Sequence, residues 1–303
     1  MRKSVFITFI FPFFLALYHI SVPFPVRAAQ TPSAAKTVSG RPTIGETFDG
    51  ERTTYDIGIW LFSKVAVGEL SFEKEDGGYR VTLVAYTTGF VDRVLQHRRD
   101  VYTSHLKEVD GGKRLITLSF EKRVDINGKV RRGVTEVDYK RHIIKWRSWG
   151  GGKDARSGED PFPEGIYCDD PLAAFYNFRY GVYGPAEEGR SYMIYTFPKK
   201  KKVSEIALRI ITRREFEERT APYPPPSYFL ADAKLDREVF GSGSGRVEIY
   251  FTKKLLPLKA VAKDIAFFGD VRGLLRGYNF GAGRGDASVE VKGAIDSTGG
   301  AGR

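Results

Sequence analysis

Three consecutive residues, Cys168, Asp169 and Asp170, carry the side chains best suited to chemistry in this 303-residue chain. Two carboxylates could act as an acid–base pair, but adjacent residues rarely point at one substrate atom. The proline that follows them is typical of the first position of a helix, where a preceding carboxylate can accept backbone N–H groups. The sequence therefore favours a helix cap over catalysis for these two acids.

Cys168, the single cysteine, could be a nucleophile if the fold brought His97, His105 or His142 beside it. The commoner alternative is a buried, unreactive thiol. The spacing of these three histidines does not match His-x-His or His-x-x-x-His, so we expect no metal site and no cofactor. With one cysteine there is no internal disulfide, and the core alone must stabilise the fold.

Two glycine-rich stretches do not match catalytic motifs. GSGSG (241–245) lacks the central serine of the Gly-x-Ser-x-Gly nucleophile turn. GGGKD (150–154) has an aspartate where a phosphate-binding loop needs serine or threonine after the lysine. We therefore expect no enzymatic activity, with a hydrolase that no motif reveals as the less favoured alternative.

The stretch DDPLAAFYNFR (169–179) predicts the one main helix. Leu172, Phe175, Tyr176 and Arg179 fall at helical spacing on one face. This face could close over a ligand with Tyr176 and Arg179 presenting polar tips. The alternative is that it packs on a sheet while Arg179 pairs with a carboxylate.

Most other segments alternate with the period of two that β-strands require. In VAVGELSFEK (65–74), Ala66, Gly68, Leu70 and Phe72 share one face, and Asn127-Gly128 is the strongest hairpin signal. We expect a mainly β fold, a curved antiparallel sheet or (half-)barrel of about ten strands, with one face packed or lining a cavity. The stretch 150–165 is expected to be a loop, and 219–245 either a long surface loop or a flap that covers one mouth of the fold.

The chain is expected to have four regions. Residues 1–28 have the charged start and apolar stretch of a secretory signal peptide, with an uncleaved anchor as the alternative. Residues 29–50 suggest a flexible arm, 51–279 a single β-rich domain, and 280–303 a disordered glycine-rich tail. Export to the periplasm excludes nucleic acid as a partner, and no transmembrane segment is expected after removal of the signal.

Three stretches together resemble a known family. They are YDIGIWLFSKVAVGELSFEKEDGGYRVTLVAYTTGFVDRV, DDPLAAFYNFRYGVYGP and VEIYFTKKLLPLKAVAKDIAFFGDVRGLL. Their order resembles the bacterial envelope proteins grouped as domain of unknown function 3108. The corresponding features here are Gly68 in an early strand, a helix from Asp170 to Arg179, and a Pro-x-Lys element at Pro257. The resemblance covers roughly residues 45–275 and implies an exported protein similar to lipocalin-like and lipoprotein-carrier folds, with no catalytic residues to carry over.

These observations favour a non-enzymatic protein that binds a lipid or other hydrophobic ligand in a cavity of the sheet. An envelope-assembly or polysaccharide-export interaction protein without a cavity is the alternative. Lysines 199–202 and the excess of 48 basic over 37 acidic residues suggest an anionic envelope component as a further partner. The residues expected to contact the hydrophobic ligand are Trp60 and Tyr86 from aromatic-rich strands and Leu172, Phe175, Tyr176 and Arg179 from the helix.

Overall fold

A curved antiparallel sheet that does not close on itself dominates the protein. The computed structural model describes residues 41–150, 153–199, 202–219, 227–234, 244–265, 269–279 and 289–290. The predicted mainly β class is confirmed, although the sheet has fourteen main strands and not about ten. The predicted signal peptide and most of the predicted tail lie outside the described residues.

The strands form two meanders that meet at the centre of the sheet. The first comprises β1 (Arg52–Ile59), β2 (Phe62–Glu75), β3 (Gly78–Thr87), β4 (Arg99–Val109), β5 (Arg114–Ile126), β6 (Lys129–Asp138), β7 (Ile143–Gly150) and β8 (Lys153–Pro161). The second comprises β9 (Ser191–Lys199), β10 (Lys202–Ile210), β11 (Phe229–Lys234), β12 (Arg246–Phe251), β13 (Pro257–Ile265) and β14 (Gly269–Asn279), with a short β15 (Val289–Glu290) beside β14. Because β1 pairs with both β2 and β14, strands β8 and β9 are left at the two edges.

In the described part of the chain, four helices accompany the sheet: α1 (Ile44–Phe48), α2 (Gly89–Val94), α3 (Pro171–Tyr180) and α4 (Arg213–Glu217). In the chain, α3 connects edge strand β8 to edge strand β9. Its Leu172 packs in the cluster built from β2 to β5, and its Phe178 packs in the cluster built mainly from β9 to β14. A helix that contacts both halves must lie inside the curve of the sheet.

Residues 41–50 contain α1, which contributes Ile44, Gly45 and Phe48 to the buried interior and corrects the C-terminal end of the predicted arm. Thr43 and Glu46 form a reciprocal capping box at the start of α1, and Ile44 is fully buried. The Ile44 amide donates a 2.8 Å hydrogen bond to the carbonyl of Gly112 in the β4–β5 turn. The apolar pair Ile44 and Phe48 is too short a signal for periodicity to reveal.

Two predicted loops contain strands. Strand β8, an edge strand that pairs with β7 among the described residues, lies within the segment 150–165, and its described side chains are largely exposed. Without a buried face, it needs no apolar alternation and leaves no such pattern in the sequence. Strand β11 occupies six residues of the segment 219–245, and β14 lies where no strand was predicted. Strand β10 ends at Ile210, shortly before α4.

The hairpin turn predicted at Asn127-Gly128 is present in the structure. Asn127 and Gly128 both have positive φ, 52° and 76°, as a two-residue turn between β5 and β6 requires. Helix α2 follows β3 directly, and Lys199 pairs with Lys202 at the ends of β9 and β10. Strand directions place this β9–β10 turn at the same end of the sheet as the β1–β2 turn.

Within the described residues, none of the helices has both the length and the apolar composition needed to cross a membrane.

Candidate functional site

Asp170 is the N-cap of α3, which confirms the predicted cap and places Pro171 at the first helical position. Its Oδ1 accepts hydrogen bonds from the backbone N–H groups of Leu172 (2.8 Å) and Ala173 (3.2 Å). The hydroxyl of Ser104 on β4 donates to Oδ1 and that of Thr117 on β5 donates to Oδ2, each at 2.6 Å. The carboxylate therefore anchors the helix to the sheet, and its complete burial raises its pKa.

Asp169 serves a different network at the same helix end. Its Oδ2 accepts hydrogen bonds from Arg114 (2.8 Å), from Asn177 (3.2 Å) and from the hydroxyl of Tyr183. Burial raises the pKa of this carboxyl group, and the neighbouring Arg114 opposes the shift. The two carboxylates thus accept hydrogen bonds from different residues and do not share a common partner.

Cys168 is buried, and no hydrogen bond among the described residues joins its thiol to a histidine. His97 bonds to Asp92, and His105 bonds to Glu75. Burial, assisted by the charge of Asp169, raises the pKa of the Cys168 thiol to about 12. Since only a thiolate is a strong nucleophile, the thiol is unreactive in this environment. Among the described residues, no three His, Cys, Asp or Glu side chains are grouped as metal ligands would be.

The raised thiol pKa leads to a simple reactivity prediction. Native protein at pH 8 is expected to react with a chromogenic disulfide reagent far more slowly than the same protein denatured in urea, where the thiol is exposed. The rate of colour release from one cysteine measures this directly. A native rate equal to the denatured rate would show that Cys168 is accessible and ionised, and would reopen its interpretation as a nucleophile.

Arg179 forms a buried ion pair with Glu51 instead of presenting its tip to a cavity. Two charge-assisted hydrogen bonds of 2.5 and 2.8 Å join the guanidinium to the carboxylate, and both side chains are 4% exposed. The hydroxyls of Tyr176 and Tyr278 each donate to the same carboxylate at 3.2 Å, and Arg179 Nε donates to the carbonyl of Leu255. The network joins α3 to the segment before β1 and to the second half of the sheet.

A cavity lies between α3 and the centre of the sheet. The volume of this cavity is about 50 Å³, and its walls are almost entirely apolar. The lining residues come from six strands and from α3: Tyr55, Ile57, Gly68, Leu70, Leu83, Ala85, Ile249, Pro257, Ala260, Gly273 and Phe175. Since one water needs roughly 10–15 Å³ by this measure, the space holds a few non-hydrogen atoms at once.

Small residues on paired strands create this space. Gly68 on β2 pairs with Tyr55 on β1 and with Ala85 on β3, and Gly273 pairs with Ile57. A Cβ atom added to Gly68 would meet Ile57 Cδ1 at 3.4 Å and Tyr55 Cβ at 3.9 Å, which are ordinary contacts. A side chain would therefore fit at Gly68, and the cavity exists because there is none.

Of the six predicted ligand contacts, Phe175 is the one that lines this cavity. Leu172 and Tyr176 are fully buried in the packed cluster beside it, and Arg179 is occupied by Glu51. Tyr86 follows Ala85 on β3, so it faces the opposite side of the sheet, where its hydroxyl bonds to Glu69. The predicted single contact face of α3 is therefore divided among core packing, an ion pair and the cavity.

Trp60 also lies away from the cavity. It occupies the β1–β2 turn, 58% exposed and with a positive φ of 46°. Sequence reasoning missed the glycines and alanines of the cavity as site residues. Their signal was present in the alternation Ala66, Gly68, Leu70, because a glycine among larger side chains on a buried face leaves a gap.

A polar cluster lies on the same face of the sheet, on β4 directly beside the cavity strand β3 and on β5 one strand further away. Arg98 forms a buried bidentate pair with Asp100, and the Tyr102 hydroxyl also donates to this carboxylate. Lys122 is the cross-strand partner of Tyr102 and lies over its ring, while Tyr102 pairs with the cavity residue Leu83. Lys122 makes no hydrogen bond or ion pair with any described residue, and burial lowers its pKa.

Comparisons with protein-family models, with curated protein sequences and with solved structures gave no match to this chain. The resemblance to domain of unknown function 3108 therefore stays a prediction. What the protein does has to be argued from the cavity, the buried networks and the surface.

Proposed function

We propose that this chain is a non-enzymatic protein of the bacterial periplasm that binds the apolar chain of a lipid or similar molecule between its sheet and α3. The observation that carries the proposal is the apolar cavity beneath Phe175. An unfilled cavity lowers stability, because its lining atoms lack contacts that close packing would supply. An apolar molecule that enters would restore those contacts, and water would gain few hydrogen bonds there.

Phe175 is the side chain whose movement would admit a longer ligand. It is half-buried, whereas its neighbours Leu172 and Tyr176 are fully buried. It packs against both core clusters, so it lies at the junction between the two halves of the sheet. Rotation of this ring away from the sheet would enlarge the cavity without breaking the cap at Asp170 or the pair at Arg179.

The polar cluster beside the cavity favours an amphiphile that carries an anionic group. Adjacent strands are about 4.8 Å apart, so Lys122 lies roughly 10 Å from Leu83 across the sheet. That span is within the length of a fatty acyl chain. The carboxylate of Asp100 is paired with Arg98, whereas Lys122 forms no ion pair with a described residue, so the positive charge of Lys122 is left to attract a carboxylate or phosphate.

Filling the cavity should abolish binding. The probe is an apolar dye that fluoresces in apolar surroundings, and the variant is Gly68→Val, whose side chain would occupy the cavity. We expect saturable binding by the wild type, displacement by a fatty acid more readily than by the fatty alcohol of equal length, and at least about a tenfold weaker affinity in Gly68→Val.

Gly277→Val is the matched control, since Gly277 is also a strand glycine but has open space around it. It is expected to bind like the wild type. Failure of the wild type to bind the dye saturably, or equal affinity in Gly68→Val, would refute the proposal and favour the interaction protein without a ligand. Native mass spectrometry of protein taken from the periplasm should show a co-purified lipid in the wild type and none in Gly68→Val.

A further inference from the structure

Large apolar side chains are exposed at one end of the sheet. Ten such residues are exposed in the described part of the chain, and half of them belong to the β1–β2 turn and α2. We call this set the apolar tip: Trp60 (58% exposed), Leu61 (99%), Phe62 (49%), Phe90 (65%) and Val94 (64%). Concentration of exposed apolar side chains in two short segments marks an interaction surface, because scattered ones would be ordinary.

The two segments of the apolar tip are packed together. Strand β3 ends at Thr87, opposite Ala66, so the first residues of β2 extend past the end of β3 and pair with β1 alone. Helix α2 packs against this extension, with the Thr88 amide bonded to the carbonyl of Val65 at 2.9 Å. The ring centroids of Phe62 and Phe90 are 6.0 Å apart. The tip is therefore one continuous projecting surface.

The backbone of the turn is held so that its side chains point outward. Arg272 on β14 donates a 2.6 Å hydrogen bond to the carbonyl of Trp60, which has a left-handed conformation. Gly269 leaves space for the Trp60 ring, because a Cβ atom there would lie 3.0 Å from Trp60 Nε1. Leu61, at the apex, is held by this arrangement almost fully in solvent. Such preorganisation lowers the ordering cost of docking.

Unpaired basic residues surround the apolar tip. Arg93, Arg99 and Arg272 are exposed, and none forms an ion pair with a described carboxylate. The nearby acids are already paired, Asp92 with His97 at 2.5 Å and Asp56 with Lys64 at 3.1 Å. Aromatic and leucine side chains that project among arginines are the composition of a surface that enters the interface of an anionic bilayer.

We propose that the apolar tip docks this protein on a lipid bilayer that carries anionic head groups, with Leu61 and its aromatic neighbours entering the interface. A second copy of the chain fits less well, since a symmetric contact would place the arginines of one copy against those of the other. The inference goes beyond the proposed function and does not depend on it, because no residue of the tip lines the cavity.

Vesicle flotation tests the docking. The probes are vesicles of phosphatidylcholine alone and of phosphatidylcholine mixed with phosphatidylglycerol, and all proteins share one N-terminus defined by mass spectrometry. We expect the wild type to float with the mixed vesicles, less so as salt rises, and only weakly with phosphatidylcholine. Leu61→Asp should lower the partition coefficient at least about tenfold, and Arg93→Gln with Arg99→Gln should weaken binding to the anionic vesicles alone.

Two control variants separate docking from general changes in surface character. Met193→Asp places the same charge at another exposed apolar residue, 54% exposed on β9, and Arg213→Gln with Arg214→Gln removes two exposed arginines of α4. Both should float like the wild type. As a second measurement, brominated lipids should quench part of the tryptophan fluorescence of the wild type but not of Trp60→Phe.

The proposal is overturned if the wild type does not float with anionic vesicles or if Leu61→Asp floats equally well. It is also overturned if sedimentation equilibrium shows a dimer that Leu61→Asp dissociates, since the tip would then bind a second copy. Dye binding to the cavity is expected to be unchanged in Leu61→Asp. Loss of docking and loss of ligand binding can therefore be told apart.

Discussion

Replacement of Arg179 by methionine is expected to lower the free energy of unfolding by about 3–5 kcal/mol, because removal of one partner leaves a buried charge without compensation. The charge left behind is the carboxylate of Glu51, which is 4% exposed and, among the described side chains, would keep the hydroxyls of Tyr176 and Tyr278 as its hydrogen-bond donors. Urea unfolding followed by circular dichroism measures the change.

The control is replacement of an exposed arginine by methionine. Arg214 pairs with Glu218 at 2.7 Å but is 88% exposed, so Arg214→Met should change the free energy of unfolding by no more than about 0.5 kcal/mol. The double variant Glu51→Gln with Arg179→Met should be more stable than Arg179→Met alone, since it buries no charge. If Arg179→Met costs no more than Arg214→Met, the pair does not hold α3 to the sheet.

Asp170→Ala is expected to be similarly destabilising, by about 3–5 kcal/mol, because it removes a helix cap and leaves buried donors without acceptors. Two backbone amides of α3 and the hydroxyls of Ser104 and Thr117 all donate to this one carboxylate. Chemical denaturation measures the loss. Thr212→Ala, which removes the cap of the short helix α4 at the surface, should cost only about 1 kcal/mol. Equal costs would mean that the links to β4 and β5 contribute nothing.

Asp170→Asn isolates the pH dependence of this site. Burial raises the pKa of Asp170 in the folded state above its ordinary value of about 3.9. The folded protein therefore binds a proton more readily than the unfolded chain, and stability falls as pH rises from about 4 through the raised pKa. The stability of the wild type relative to Asp170→Asn should decrease over that window. A constant difference across pH would contradict a raised pKa at Asp170.

Short sequence motifs correctly predicted the parts of the fold that depend on residues close together in the chain. The cap at Asp170, the proline after it and the turn at Asn127-Gly128 each involve backbone groups within a few residues, so their chemistry can be recognised without the fold. Period-two alternation likewise identified the β class. It failed for β8, which has no buried face and therefore no pattern to detect.

The candidate site depended on distant pairings that no local pattern contains. Glu51 and Arg179 are 128 residues apart, and they meet because the helix between β8 and β9 crosses the inside of the sheet. The position of Trp60 was misjudged for a related reason. Alternation predicts that it continues an aromatic-rich strand, whereas its left-handed backbone places it in an exposed turn.

By itself, the sequence determined a mainly β protein with one capped helix, because alternation, capping and turn chemistry act over a few residues. Only the tertiary structure decided what that helix does. Arg179 of the helix forms an ion pair with Glu51, and Asp170 accepts hydrogen bonds from side chains of β4 and β5. Phe175 covers the cavity that Gly68 and Gly273 leave open. An empty volume is a property of side chains brought together from six strands and a helix, so it arises only once the sheet order is set.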